Sequence, residues 1–220
     1  MIYSPGRRFL FIHIPKTGGT SFARAYEARA RADDILVGDT PKAQQRQRRQ
    51  RDLSVAGRLW KHSTLADLHG LVPADDLCRM VLVRNPWDRM VSYYHWLGVQ
   101  RFDHPAVRLA QRLEFTDFLN HPQTVAGLRR QPYAAYVRDR LGEVAPTHFV
   151  RIEAFEEDFA PVARHLDFSL ELPRENTSKR ARDWRGYYSD TDAALVGELC
   201  AADIARSGYS FAPSFPVSET

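Results

Sequence analysis

Apolar positions along the 220 residues fall into short blocks of two kinds, continuous runs and helical stripes. Phe9-Leu10-Phe11-Ile12-His13-Ile14 is nearly continuous, the pattern of a strand buried on both faces of a parallel sheet, and a proline and two glycines end it. From Thr20 onward Phe22, Ala23, Tyr26 and Ala30 recur at helical spacing, with Thr20 or Ser21 available as a cap. Strand, glycine loop and helix therefore follow one another directly. Cys78-Arg79-Met80-Val81-Leu82-Val83 is the clearest later strand, and Pro86 opens a helix striped by Met90, Val91, Tyr94 and Leu97. Weaker patterns predict a second strand over 58–61 and a short helix over 64–71. Helices follow over 105–113, 115–120 and 133–141, then a strand over 147–152 and helices over 156–166 and 192–206. The sequence contains no internal repeat, heptad pattern or low-complexity linker.

This alternation and the length predict one α/β domain over residues 1–220. Thirty-one basic residues against 27 acidic ones give a formal charge of +4. That balance suits anionic partners in general and does not imply nucleic acid. Polar residues 41–51 lack both acidic groups and apolar periodicity, which reads as a loop or a solvated helix; a mobile loop and a lure for anionic saccharide are its two readings. Cys78 and Cys200, far apart and in apolar contexts, fit a reducing compartment and exclude a disulfide framework. Neither a signal-peptide pattern nor a run near the roughly 20 apolar residues of a membrane span is present, so the expectation is a soluble, cytoplasmic protein. Oligomeric state has no signal in the sequence.

Candidate chemistry begins at Pro15-Lys16-Thr17-Gly18-Gly19-Thr20-Ser21. A strand feeding a glycine loop and then a helix is an anion site, because free N–H groups and the positive end of the helix dipole converge there. Lys16 adds a full charge, Gly18 and Gly19 let the backbone approach an anion, and Thr17, Thr20 and Ser21 supply hydroxyls. In the nucleotide-triphosphate pattern the lysine follows the glycines, whereas Lys16 precedes them. A second motif, Arg84-Asn85-Pro86 with Arg89 and Ser92, ends another predicted strand; Arg84 offers a forked contact to phosphate and Ser92 a hydroxyl two turns along the helix. Arg89 reads better as a structural ion-pair partner.

The first string resembles the 5′-phosphosulfate loop, and the second the 3′-phosphate motif, of carbohydrate sulfotransferases related to the uronosyl 2-O-sulfotransferases. Shorter matches at Lys61-His62-Ser63-Thr64, Gln131-Pro132-Tyr133, Val150-Arg151-Ile152-Glu153, Glu157-Asp158-Phe159, Asn176-Thr177-Ser178-Lys179 and Tyr209-Ser210-Phe211 extend the resemblance over nearly the whole chain. It implies a P-loop-like three-layer fold, with a central, mostly parallel sheet of four to five strands flanked by helices. It also implies transfer of the sulfuryl group from 3′-phosphoadenosine 5′-phosphosulfate (PAPS) to a hydroxyl, on a saccharide or glycoconjugate, without a metal. Lys16 would stabilise the leaving phosphate and His62 would take the acceptor proton, histidine needing no large pKa shift for that work. The competing reading of His62 is an ordinary surface or core histidine, and His13, inside the first strand, is the rival base. Asn176, Ser178 and Lys179 resemble a loop closing over the nucleotide. Trp60, Trp96 and Tyr133 are either sugar-stacking or core aromatics. Two other classes compete: a phosphoryl-transfer kinase, opposed by the displaced lysine, and a non-enzymatic nucleic-acid or anion-binding protein using the Gln/Arg-rich segment.

Overall fold

The computed structural model describes residues 1–74, 76–173, 181 and 183–212. In chain order the elements are β1 (Ile2–Ser4), β2 (Phe9–Ile12), α1 (Gly19–Glu27), β3 (Ile35–Leu36), α2 (Pro41–Arg46), β4 (Cys78–Val83), α3 (Pro86–Gly98), α4 (Pro105–Arg112), α5 (Phe115–Asn120), α6 (Pro122–Arg130), β5 (His148–Arg151), α7 (Phe155–Leu166), α8 (Asp190–Leu199) and α9 (Ala201–Ser207). They group into two compact units. One is built on Met1–Arg84 and the stretch from Tyr133; the other on Asn85–Pro132 and the C-terminal helices.

All five strands of the first unit lie in one sheet, in the order β3-β1-β2-β4-β5. β2, β4 and β5 are parallel neighbours, with Phe9 opposite Cys78 and Met80 opposite His148, while β1 pairs antiparallel with both β2 and β3. Only β1 runs against the rest, so the expected mostly parallel α/β sheet is present, made mixed by that one strand. The continuous apolar runs have their physical reason here. Phe9, Phe11, Met80, Leu82 and Val150 point into a cluster with α1 and α7, and the alternate residues Leu10, Ile12, Val81 and Val83 are equally buried. Phe22 of α1 is the hinge of that cluster, with ring centroids 4.4 Å from Phe11 and 5.9 Å from Phe159.

Several expectations need correction. Arg58 to Lys61 form no strand, because the buried Ser63 hydroxyl gathers that stretch into a turn: it donates to the carbonyls of Arg58 (2.6 Å) and Trp60 (2.9 Å) and accepts from the Trp60 N–H. Residues 64–71 are turns in place of a helix: Thr64 and Asp67 form a capping box, each side chain taking the other's backbone N–H, but a single turn follows it, with Leu68 N–H reaching the Thr64 carbonyl. The predicted helix over 133–141 is a 3₁₀ turn, Tyr133–Val137, and the one over 192–206 is divided at Cys200 into α8 and α9. β1, β3 and α6 carry too few patterned residues to be foreseen. The Gln/Arg-rich segment is a docked element: Ala43 N–H donates to the Glu27 carboxylate, Arg46 to the Asp34 carbonyl and Gln50 to the Leu36 carbonyl. Its exposed arginines are Arg48, Arg49 and Arg51.

In the second unit Asn85 caps α3 by accepting from the N–H groups of Trp87 and Asp88, with Pro86 at the first helical position as expected. Trp87, Met90, Val91, Phe115, Phe118 and Val196 share its core, which also takes in the partly buried Trp96. The buried Asp192 carboxylate is satisfied by Thr116 and Asn120. Among the described residues no helix is long and apolar enough to cross a membrane.

Truncating Phe22 to alanine leaves a hole where α1, the sheet and α7 meet. A loss of about 3–5 kcal/mol is expected in urea unfolding; a loss below about 1 kcal/mol would mean that the cluster closes over the hole.

Candidate active site

The loop after β2 is held by its own backbone geometry. Lys16 sits at φ +67°, a left-handed conformation that a side chain adopts only when its surroundings enforce it. Thr17 is fully buried and its hydroxyl donates to the Ile14 carbonyl at 2.9 Å, so the side chain serves the turn and only its N–H remains for an anion. Gly18, at φ +88°, is the N-cap of α1, which begins one residue earlier than the sequence pattern predicts. Neither Thr20 nor Ser21 acts as the cap. With no capping side chain and a first helical bond from Phe22 to Gly18, the N–H groups of residues 18 to 21 have no acceptor inside the helix.

Both glycines are required by their neighbours. A β-carbon on Gly18 would lie 2.2 Å from Ile152 Cδ1, and one on Gly19 would lie 2.1 Å from His13 Cδ2. Ile152 is delivered by the end of β5, where Arg151 grips the Asp158 carboxylate with two bonds of 2.7 Å and so holds it below the usual carboxylate range. The matches around Arg151 and Asp158 are thus a structural clamp behind the loop.

His13 links the loop to His62. Its ring is buried against Gly19, and its carbonyl accepts a 2.7 Å bond from His62 Nδ1. A carbonyl can only accept, so Nδ1 carries the His62 proton and Nε2 keeps a lone pair. The two rings meet edge-on at 4.6 Å, and the half-exposed Trp60 meets His62 at 5.1 Å with the Arg58 guanidinium over its own ring. Burial pushes His62 down to about 4, opposed by its bond to the His13 carbonyl and aided by the Lys61 charge; burial also holds His13 well below the ordinary histidine value. Free His62 is therefore a neutral acceptor at neutral pH, with a pKa well under the near-neutral one expected from its residue type.

Arg84 follows β4 and reaches the same loop, its Nη1 lying 3.5 Å from the Lys16 carbonyl, and the buried Tyr133 hydroxyl donates to the Arg84 carbonyl. Tyr133 is thus a core residue that fixes Arg84, a role its sequence context did not reveal. Lys16, residues 17 to 21, Arg84 and His62 all belong to the first unit. Ser92 is buried on α3 of the second unit, and its assignment rests on the motif alone. Asn176, Ser178 and Lys179 lie outside the described residues. No group of His, Cys, Asp and Glu side chains among the described residues is arranged to hold a metal ion.

The lowered pKa of His62 has a sign that can be tested. Between pH 6.5 and about 4 the unfolded chain binds the proton first, so stability is present above that window and lost as pH falls through it. The His62 share of the loss between pH 7 and pH 5 should be about 2 kcal/mol. Urea unfolding at the two pH values should show a smaller drop for His62→Gln than for the natural protein; equal drops would place His62 in water.

The model of the Sulfotransferase family (Sulfotransfer_2) matches residues 1–179. A comparison with curated proteins gives no match. Among solved structures, mouse sulfotransferase SULT7A1 complexed with PAP aligns with 91% of this chain and 84% of its own, at 15% identity and a TM-score of 0.41. The family match runs from the first strand through the last strand of the sheet, a span that contains the glycine loop, His62 and Arg84. On that ground the chain belongs to the sulfotransferase family, and it is an enzyme of sulfuryl transfer.

Proposed function

We propose that the enzyme takes its sulfuryl group from PAPS and passes it to a hydroxyl of a saccharide or glycoconjugate. The observation that carries the donor assignment is the uncapped start of α1, with Lys16 beside it and Arg84 reaching over the Lys16 carbonyl. Backbone N–H groups 18 to 21 and the positive helix end suit the 5′ oxyanions, and Thr20 and Ser21 add hydroxyls. Arg84 suits the 3′-phosphate through its guanidinium fork, and the motif adds Ser92.

Transfer forms a bond from the acceptor oxygen to sulfur and breaks the bond from sulfur to the phosphate oxygen. Lys16 meets the negative charge growing on that phosphate. Nε2 of His62 takes the acceptor proton, its tautomer already fixed by the His13 carbonyl. A polyanion at the α1 terminus raises the basicity of His62 by favouring its charged form. Trp60, exposed beside His62, supports a ring-bearing acceptor such as a sugar.

Calorimetric titration with 3′-phosphoadenosine 5′-phosphate should show tighter binding than ATP with magnesium, and Arg84→Ala should weaken it by about 1.5–3 kcal/mol. Tighter ATP binding would return the kinase reading. In turnover, Lys16→Ala should lose more than it loses in nucleotide affinity; equal losses would make Lys16 a plain binding group. His62→Ala should lose about 10²–10⁴-fold in rate with nucleotide affinity nearly intact. Transfer at the natural rate by a folded His62→Ala protein would remove it as the base.

A further inference from the structure

The second unit contains a hollow of about 260 Å³, lined by Pro105, Arg108, Leu109, Arg112, His121 and Gln123. Its wall is one face of α4, where Arg108 and Arg112 are four residues apart, and the start of α6. Two like charges at that spacing weaken a short helix by a few tenths of a kcal/mol, a cost opposed by the Asp103 partner of Arg108 and by the place of Arg112 in the last turn of α4. Asp103 offsets Arg108, whereas Arg112 makes no ion pair among the described residues. His121 caps α6 by accepting the Gln123 N–H on Nδ1 at 3.3 Å, which leaves its proton on Nε2. The lining thus holds the Arg112 guanidinium fork, the Arg108 guanidinium that Asp103 partly engages from outside the lining, an imidazole N–H and the Gln123 amide, over the apolar Pro105 and Leu109.

We propose that this hollow binds an oxyanion, a sulfate, phosphate or carboxylate group, either free or as a substituent of a larger ligand. The Arg112 guanidinium fork matches the paired oxygens of such a group, and Asp103 competes for Arg108 alone. The volume admits one such group, or the group with part of one sugar ring, and lies below that of a typical pocket for a whole small ligand. The proposal involves no sulfuryl donor and stands or falls independently of the function proposed above.

The test is residue-resolved amide NMR of the intact protein at fixed ionic strength, titrated separately with sodium sulfate, glucose 6-sulfate and glucose. Saturable shifts confined to residues 105–112 and 121–123 are expected with the two anions and not with glucose. Shifts around Lys16 report a different event and do not count. Arg112→Gln should weaken this binding by roughly tenfold or more, and Arg108→Gln with Arg112→Gln should abolish it. Arg112→Lys, which keeps the charge and loses the fork, should fall between them. Both side chains are exposed, and the same spectra verify that each variant is folded. Tighter binding of the ester would identify a substituent of a larger ligand, and equal or tighter binding of sulfate a free ion; either supports the site. Linear, unsaturated shifts, or unchanged affinity in the double variant, would overturn it.

Discussion

The His13 imidazole lies where a β-carbon of residue 19 would stand, and the His13 carbonyl holds the only proton that His62 carries at neutral pH. These two contacts from one residue, just past the end of β2, set the position of the α1 terminus and the tautomer of the candidate base together. Because both are made by a residue rooted in the most deeply buried strand, neither can drift without moving the sheet. His13 therefore needs to touch no substrate to matter. It is the gauge between the anion loop and the acceptor side.

Around that contact the loop stores strain that the first unit can afford to hold. Lys16 occupies positive φ at a cost that Gly18, also at positive φ, does not bear, and Ile152 closes the space over Gly18 from the far edge of the sheet. Such backbone states persist only when several packed elements determine them at once. The aromatic cluster of Phe9, Phe11, Phe22 and Phe159 supplies that determination from one face. The result is a row of N–H groups already in place before any ligand arrives, so binding need not order them.

What could be read in the sequence followed from the physics of each signal. Continuous apolar runs occur where a strand is covered on both faces, and so β2 and β4 were legible; β1 and β3, of three and two residues, are too short to carry a period. The anion loop was legible because it needs glycine at defined positions. Gly19 is in fact demanded by the His13 side chain, a contact no local pattern encodes. His62 was found through a short resemblance, yet its low pKa and fixed tautomer arise from burial and a carbonyl 49 residues away. In the misread stretch from 58 to 71 the Ser63 hydroxyl holds a turn where a strand was expected, and the Thr64–Asp67 capping box starts a single turn that goes no further. Tyr133 and Arg84, far apart in sequence, meet because the 3₁₀ turn Tyr133–Val137 brings the Tyr133 hydroxyl to the residue that follows β4.

The cover that Ile152 places over Gly18 has a consequence in time. One partner is made early in synthesis and the other late, and the parallel pairing of β2 with β4 and then β4 with β5 must be completed in between. Closing such long intervals costs chain entropy before any contact rewards it, which slows folding. A fragment that stops short of β5 lacks the side chain that covers Gly18. The enclosure of Gly18 is thus completed late, when β5 pairs with β4 at the edge of the sheet and brings Ile152 over it.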